Sequence, residues 1–240
     1  MNEVANFCNG FCIDKRKSQS STRKIEKTPS KFDPNNPPYK INNRLEQLPL
    51  NFKTTDMDVT HYGGILEYDA HNLYGMTEVI ATRQALEEIT KKRAFVLSRS
   101  TFTGSGHHGG HWTGDNFAEW EHLYHSIPAM LNMNIFGIPY VGADICGFAS
   151  STTEELCARW MQLGAFYPFS RNHNNDNSIP QEPYLWESVA EVSRIALRIR
   201  YSLLSVYYTL FYIVKNFFPL TRFIFDFDFL FVFLFFFILI

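Results

Sequence analysis

Three short apolar runs constrain this chain most: residues 94–99 (Ala-Phe-Val-Leu-Ser-Arg), 138–144 (Ile-Pro-Tyr-Val-Gly-Ala-Asp) and 165–173 (Ala-Phe-Tyr-Pro-Phe-Ser-Arg-Asn-His). Each ends in polar or charged residues. Residues 77–93 place Val79, Ile80, Leu86 and Ile89 on one helical stripe and close on Lys91-Lys92-Arg93, cations suited to a helix C-terminus. Further helices are expected near 117–134, 153–163 and 186–212. Buried strands alternating with helices argue for parallel βα units, an α/β fold. In a βα barrel the chemistry sits at the C-terminal ends of the strands. Arg99, Asp144 and His173 all fall there.

The rest of the chain is of two other kinds. Residues 1–55 read as a polar, basic loop or insertion: up to residue 45, nine Lys or Arg stand against four Asp or Glu, and Pro29, Pro34, Pro37 and Pro38 punctuate the second half. A solvated insertion is the favoured reading over an anion-binding loop. Residues 56–212 read as the packed core. Residues 213–240 form an apolar tail that holds a large share of the chain's 23 phenylalanines. From 223 onward the tail is interrupted by Asp226 and Asp228 and has no amphipathic period, and a spanning helix needs about 20 apolar residues. Three readings suit it, in order of preference: translated non-coding sequence, a poorly formed membrane anchor, or a buried segment. Membrane contact through 223–240 is therefore not favoured. No apolar run of about 7–15 residues, as a secretory signal requires, stands near Met1. Either the protein is cytosolic or Met1 is not its true start. A net charge of −2 gives no electrostatic reason to expect nucleic acid, and four cysteines are too few for a disulfide-stapled scaffold.

Three stretches carry chemistry-bearing groups, the last of them Phe169-Ser170-Arg171-Asn172-His173-Asn174, a cluster of polar groups straight after an apolar run. In His107-His108-Gly109-Gly110-His111-Trp112-Thr113-Gly114-Asp115-Asn116, three histidines and an aspartate invite a metal reading, but the glycines leave the geometry loose and no second ligand cluster completes a set. No metal is expected. A glycine-rich loop bringing Trp112 and Asp115 to a pocket is more economical, an aromatic face beside an acid being suited to a sugar and its leaving oxygen. The alternative, that Asp115 merely caps the helix near Phe117, weighs equally on local sequence. Asp144 is either a buried hydrogen-bonding carboxylate or a ligand to substrate hydroxyls. No Gly-x-Ser-x-Gly elbow and no phosphate-binding glycine loop is present.

At these residues a resemblance becomes plain. Leu97-Ser98-Arg99-Ser100-Thr101-Phe102, Gly110-His111-Trp112-Thr113-Gly114-Asp115-Asn116, Gly142-Ala143-Asp144-Ile145-Cys146-Gly147-Phe148 and the run 159–174 resemble, in order, glycoside hydrolase family 31. The similarity extends over roughly residues 1–212 and is greatest to the family's plant-type α-glucosidases. It implies a (β/α)8 TIM barrel, of which this chain supplies the C-terminal strands and helices only. It implies retaining hydrolysis of α-glucosidic bonds at non-reducing glucose ends of maltose-like oligosaccharides, with no cofactor. Asp115 becomes the general acid/base, Arg99, Asp144 and His173 ligands to the sugar hydroxyls, and Trp112 and Phe148 the lining of that subsite. Cys146 and Cys157 match a disulfide of secreted relatives, and the parent family is secreted, vacuolar or endomembrane. Relatives carry Arg or Gln followed by Tyr where this chain has His107-His108.

Met1-Asn2-Glu3 resembles the end of the family's Trp-Ile-Asp-Met-Asn-Glu stretch, whose aspartate is the nucleophile. The nucleophile is thus expected just before Met1. A retaining mechanism needs two carboxyl groups about 5–5.5 Å apart, so the expectation is an incomplete and inactive part of a glucosidase. The alternative is a non-catalytic sugar-binding or membrane-associated derivative of the family.

Overall fold

The computed structural model describes residues 2–5, 8–10, 32–39, 41 and 48–217, with side chains described as far as 213. The basic stretch 14–24 and the phenylalanine-rich run 223–240 lie outside the described residues. Two compact units divide at Thr77 and Glu78.

The first unit holds a tight antiparallel bridge between Thr60 and Leu66, closed by His61 N–H donating to the Ile65 carbonyl at 2.8 Å. The short helix α1 (Glu67–Ala70) follows. Glu67 is buried, and its carboxylate satisfies both oxygens with imidazoles, His61 Nε2 at 2.5 Å and His71 Nδ1 at 2.7 Å. A buried carboxylate requires such partners.

The second unit is the parallel βα array expected from the alternation. Its strands are β1 (Leu97–Ser98), β2 (Gly110–Trp112), β3 (Val141–Gly142), β4 (Asp144–Ile145) and β5 (Arg171–Asn172). Every pairing among them is parallel: β1 with β2, β2 with β3, and β4 with β5. Strands β3 and β4 are one extended run, residues 141–145, whose first half pairs backward and whose second half pairs forward. The Phe169 N–H also donates to the Val141 carbonyl at 2.9 Å, so the ladder continues across the step. Parallel neighbours need long crossovers, usually helical. Helix α3 (Trp120–Ile135) joins β2 to β3, and α4 (Glu154–Gly164) joins β4 to β5.

Helix α4 starts where Thr153, in extended conformation, accepts a hydrogen bond from the Leu156 N–H, with Glu154 and Glu155 in the first turn favoured by the helix dipole. Its inner face puts Leu156, Cys157, Trp160, Met161 and Leu163 into the core with Val141, Ala143 and Ile145. Trp160 and Tyr167 are fully buried, and both polar ends are satisfied: the Trp160 indole N–H donates to the Tyr167 hydroxyl at 3.2 Å, and that hydroxyl meets Ser126 Oγ at 2.5 Å. Burial pushes the Tyr167 phenol up to about 12.

Several expectations need correction. The glycine-rich stretch 107–116 is not all loop: Gly110-His111-Trp112 is β2, the central strand of its three-stranded sheet. Glycine is required there because a Cβ on Gly110 would stand 2.7 Å from the Tyr140 carbonyl oxygen. Asp144 does not end a strand but opens β4. In 165–173, residues 165–169 are turn and bend, and the strand is Arg171–Asn172. Helix α2 (Tyr74–Thr90) buries Val79, but Ile89 is 79% exposed. The helix expected over 186–212 is two, α5 (Glu187–Ser202) and α6 (Leu204–Phe217). Anchors on either side of the break are fixed to one turn: the Arg200 guanidinium donates to the carbonyls of Ala165, Tyr167 and Pro168, and the Tyr207 hydroxyl donates to that of Phe166.

Candidate active site

The C-terminal ends of these strands gather the polar residues. Arg99 follows β1. Beyond β2, the Thr113 N–H still bonds the Gly142 carbonyl at 3.0 Å, and Gly114 then turns the chain at φ +82°. A Cβ at Gly114 would come within 3.1 Å of Arg99 Cδ, so glycine lets the arginine lie against the loop that presents Asp115. Arg99 Nη1 stands 3.8 Å from Asp115 Oδ2, both side chains partly open to solvent. Phe148 and His173 pack against each other with ring centroids 5.3 Å apart and planes tilted by 40°, each following its own strand.

Asp144 is the buried charge of the cluster, 1% exposed. Its Oδ1 accepts from Arg171 Nε at 3.2 Å and Arg171 Nη2 at 2.5 Å. Burial raises its carboxyl above the usual range; the Arg171 hydrogen bond and charge pull the other way, with His173 adding to them and Asp115 opposing. Among the described residues its second oxygen, Oδ2, has no hydrogen-bond partner, and neither has Trp112 Nε1. Buried polar groups are nearly always paired, so two orphans, one closing β2 and one opening β4, need an explanation.

Of the residues singled out by sequence, Arg99 and Asp115 are neighbours, Phe148 and His173 are neighbours, and Asp144 senses the charges of Asp115 and His173. Trp112 joins them through Arg171, whose guanidinium carbon lies 5.6 Å from the indole centroid and 5.2 Å from that of Phe169. Arg171 stands in the polar cluster 169–174 but is given no role of its own by the sequence reading. Its signal was available: it stands two residues before His173 on a strand, where alternate residues share a face. Gln181 was also missed. It is buried, and its amide donates to the carbonyls of Ile145 and Gly147 and to Asn172 Oδ1, fastening the turn that precedes Phe148.

The same turn carries a disulfide between Cys146 and Cys157. Cys146 holds φ +73° and Gly147 φ +91°, and a Cβ at Gly147 would press 2.4 Å from Ala118 Cα. Of the three histidines of the 107–116 stretch, His107 and His108 lie edge to face with ring centroids 6.4 Å apart. His111 is buried on β2 with Nδ1 at 3.2 Å from the Ser98 carbonyl, and burial lowers its pKa. Among the described residues no group of three His, Cys, Asp or Glu side chains stands where it could hold a metal ion.

Residues 1–210 match the model of the glycosyl hydrolases family 31 TIM-barrel domain. A probable α-glucosidase of Oryza sativa subsp. japonica is 58% identical over 176 residues, 73% of this chain and 20% of that protein. Alpha-xylosidase 1 of Arabidopsis thaliana is 49% identical over 224 residues, 88% of this chain and 24% of that protein. A crystal structure of a glucosidase II alpha subunit in its alpha3-Glc2-bound form superposes with TM-score 0.65 at 41% identity, over 70% of this chain and 19% of that one. The chain thus spans about a fifth to a quarter of the length of these relatives. Parallel strands with polar residues at their C-terminal ends, and a family match over nearly the whole described chain, lead to one conclusion: the chain belongs to glycosyl hydrolase family 31 and comprises part of that family's TIM-barrel domain.

Proposed function

We propose that these residues form the sugar-binding and proton-donating side of an α-glucosidase site. The observation that carries the reading is the pair of buried, unpartnered polar atoms, Asp144 Oδ2 and Trp112 Nε1. Leaving such groups unpaired costs roughly 1–3 kcal/mol each. One acceptor and one donor match a ring whose hydroxyls both donate and accept. Arg99 and His173 add donors at the rim, and the Phe148 ring offers an apolar wall to the sugar's C–H face. The names of the similar proteins support glucose, attached in an oligosaccharide, as the sugar.

In this reading Asp115 protonates the glycosidic oxygen as the C–O bond breaks, while a second carboxylate attacks the anomeric carbon. Asp115 then takes a proton from water, whose oxygen attacks the same carbon and frees the carboxylate. The net configuration is retained. The second carboxylate is not among the residues assigned a role at these strand ends, so the described cluster supplies the sugar-binding and proton-donating half of this mechanism. The disulfide supports an oxidising compartment, secreted, vacuolar or endomembrane.

Sequencing the full transcript and assaying two polypeptides tests this. The 240 residues alone should bind glucose and release none from maltose. The full encoded chain should release glucose, and Asp115→Asn should lower that release by about 10²- to 10⁴-fold. Release by the 240 residues alone that vanished in Asp115→Asn would show that no further carboxylate is needed. Undiminished release by Asp115→Asn in the full chain would remove Asp115 as acid/base, and preference for an α-xyloside would change the substrate class.

A further inference from the structure

The geometry points to Asn116 as a positioning residue that ties the acid/base loop to the sugar subsite; the inference rests on the glucosidase reading above. Asn116 directly follows Asp115 and is buried. Its side chain reaches both sugar-binding elements at once. The amide Nδ2 donates to the Asp144 carbonyl at 2.9 Å, and Oδ1 accepts the Phe148 N–H at 2.9 Å. Its backbone carbonyl accepts from the same Phe148 N–H at 3.1 Å and from the Ala149 N–H at 2.8 Å. Phe117 and Ala149 form a parallel bridge beside it, and the Ala118 N–H donates to the Ala149 carbonyl at 2.9 Å.

The backbone bonds alone hold the two loops together. What the side chain adds is a fixed angle, since one amide plane bonded at both ends sets the orientation of residue 116 and so of the carboxyl one residue earlier. Asp115 itself is half open to solvent, and its neighbour Arg99 lies at 3.8 Å, too far for a tight hydrogen bond. Restraint through Asn116 therefore governs where Asp115 stands relative to a sugar held by Asp144 and Phe148. Asparagine suits this role because it both donates and accepts. In Asn116→Asp the carboxylate keeps the bond from Phe148 but turns an acceptor toward the Asp144 carbonyl.

The test uses the full encoded protein and a series of α-glucosides whose leaving groups range from nitrophenolate to the alkoxide of maltose. The measured quantity is kcat/KM, which reports the bond-breaking step. A good leaving group departs without protonation, whereas maltose needs the proton. Asn116→Ala and Asn116→Asp should lower kcat/KM for maltose by about 10²-fold, the scale of a 1 Å misplacement, and much less for the nitrophenyl glucoside. Asp115→Asn, run alongside, should show the same steepening more strongly. Equal losses across the series in both Asn116 variants, with Asp115→Asn steep, would overturn the positioning role and leave the glucosidase reading intact. A flat Asp115→Asn series, or a wild type inert to every substrate, would overturn that reading and this inference with it. Thermal melts separate the cases further, since a purely structural role would lower Tm without changing the leaving-group slope.

Discussion

Replacing Asp144 by asparagine should move stability and sugar binding in opposite directions. The carboxylate is 1% exposed, and only Oδ1 is matched by Arg171. An asparagine oxygen still accepts from Arg171 but carries no charge to desolvate. Burial raises the Asp144 carboxyl above its ordinary 3.8, so the folded chain holds this proton to higher pH than the unfolded chain does. The associated stabilisation is fully present below about pH 3.8 and is lost as pH rises through the folded value. Wild type should therefore lose stability relative to Asp144→Asn as pH rises across that window. Binding should change the other way. An ionised acceptor to a hydroxyl contributes about 1.5–3 kcal/mol, so glucose affinity should fall about 10- to 150-fold. Calorimetric titration with glucose at neutral pH, beside thermal melts from pH 3 to 8, measures both. A variant that binds glucose as tightly as wild type with its fold intact would refute the assignment of Oδ2 to a sugar hydroxyl. A Tm difference that does not change with pH would refute the burial argument.

Two further outcomes concern the scaffold. Replacing Cys146 and Cys157 together by serine opens a link of sequence separation 11 and should cost about 2–4 kcal/mol in urea unfolding; an unchanged midpoint would mean that the hydrogen bonds of Gln181 and Asn116 hold the turn without it. In Gly142→Ala the new Cβ would lie 1.9 Å from the Phe169 carbonyl oxygen, which is backbone and cannot swing aside. The β3–β5 step should part, with a loss of about 1–3 kcal/mol by thermal melt and faster amide exchange at Phe169.

The helices α3 and α4 were legible because the alternation of apolar runs with helical stretches is a local signal, and the strand ends because apolar runs stop at charge. Strand β2 was not legible. Its three residues include a glycine and a histidine, and they are strand only because β1 and β3 pair with them on both sides. The break at Leu203 carries no glycine or proline. It follows from the anchors of Arg200 and Tyr207 on the turn after α4, which no local pattern announces. The stripe through Ile89 failed for the complementary reason, because periodicity marks a face without showing how far along the helix the neighbouring structure extends.

The amino-acid sequence by itself determined the βα alternation and the family motifs, and it singles out Arg99, Trp112, Asp115, Asp144, Phe148 and His173 as candidates. These are properties of order and spacing along one dimension. Tertiary structure alone decided that Arg171 takes one oxygen of Asp144 and leaves the other unpaired, and that Asn116 bonds Asp144 and Phe148 at once. Both depend on parallel strands that bring residues about 30 positions apart to the same edge, where burial makes each hydrogen bond, made or missing, count.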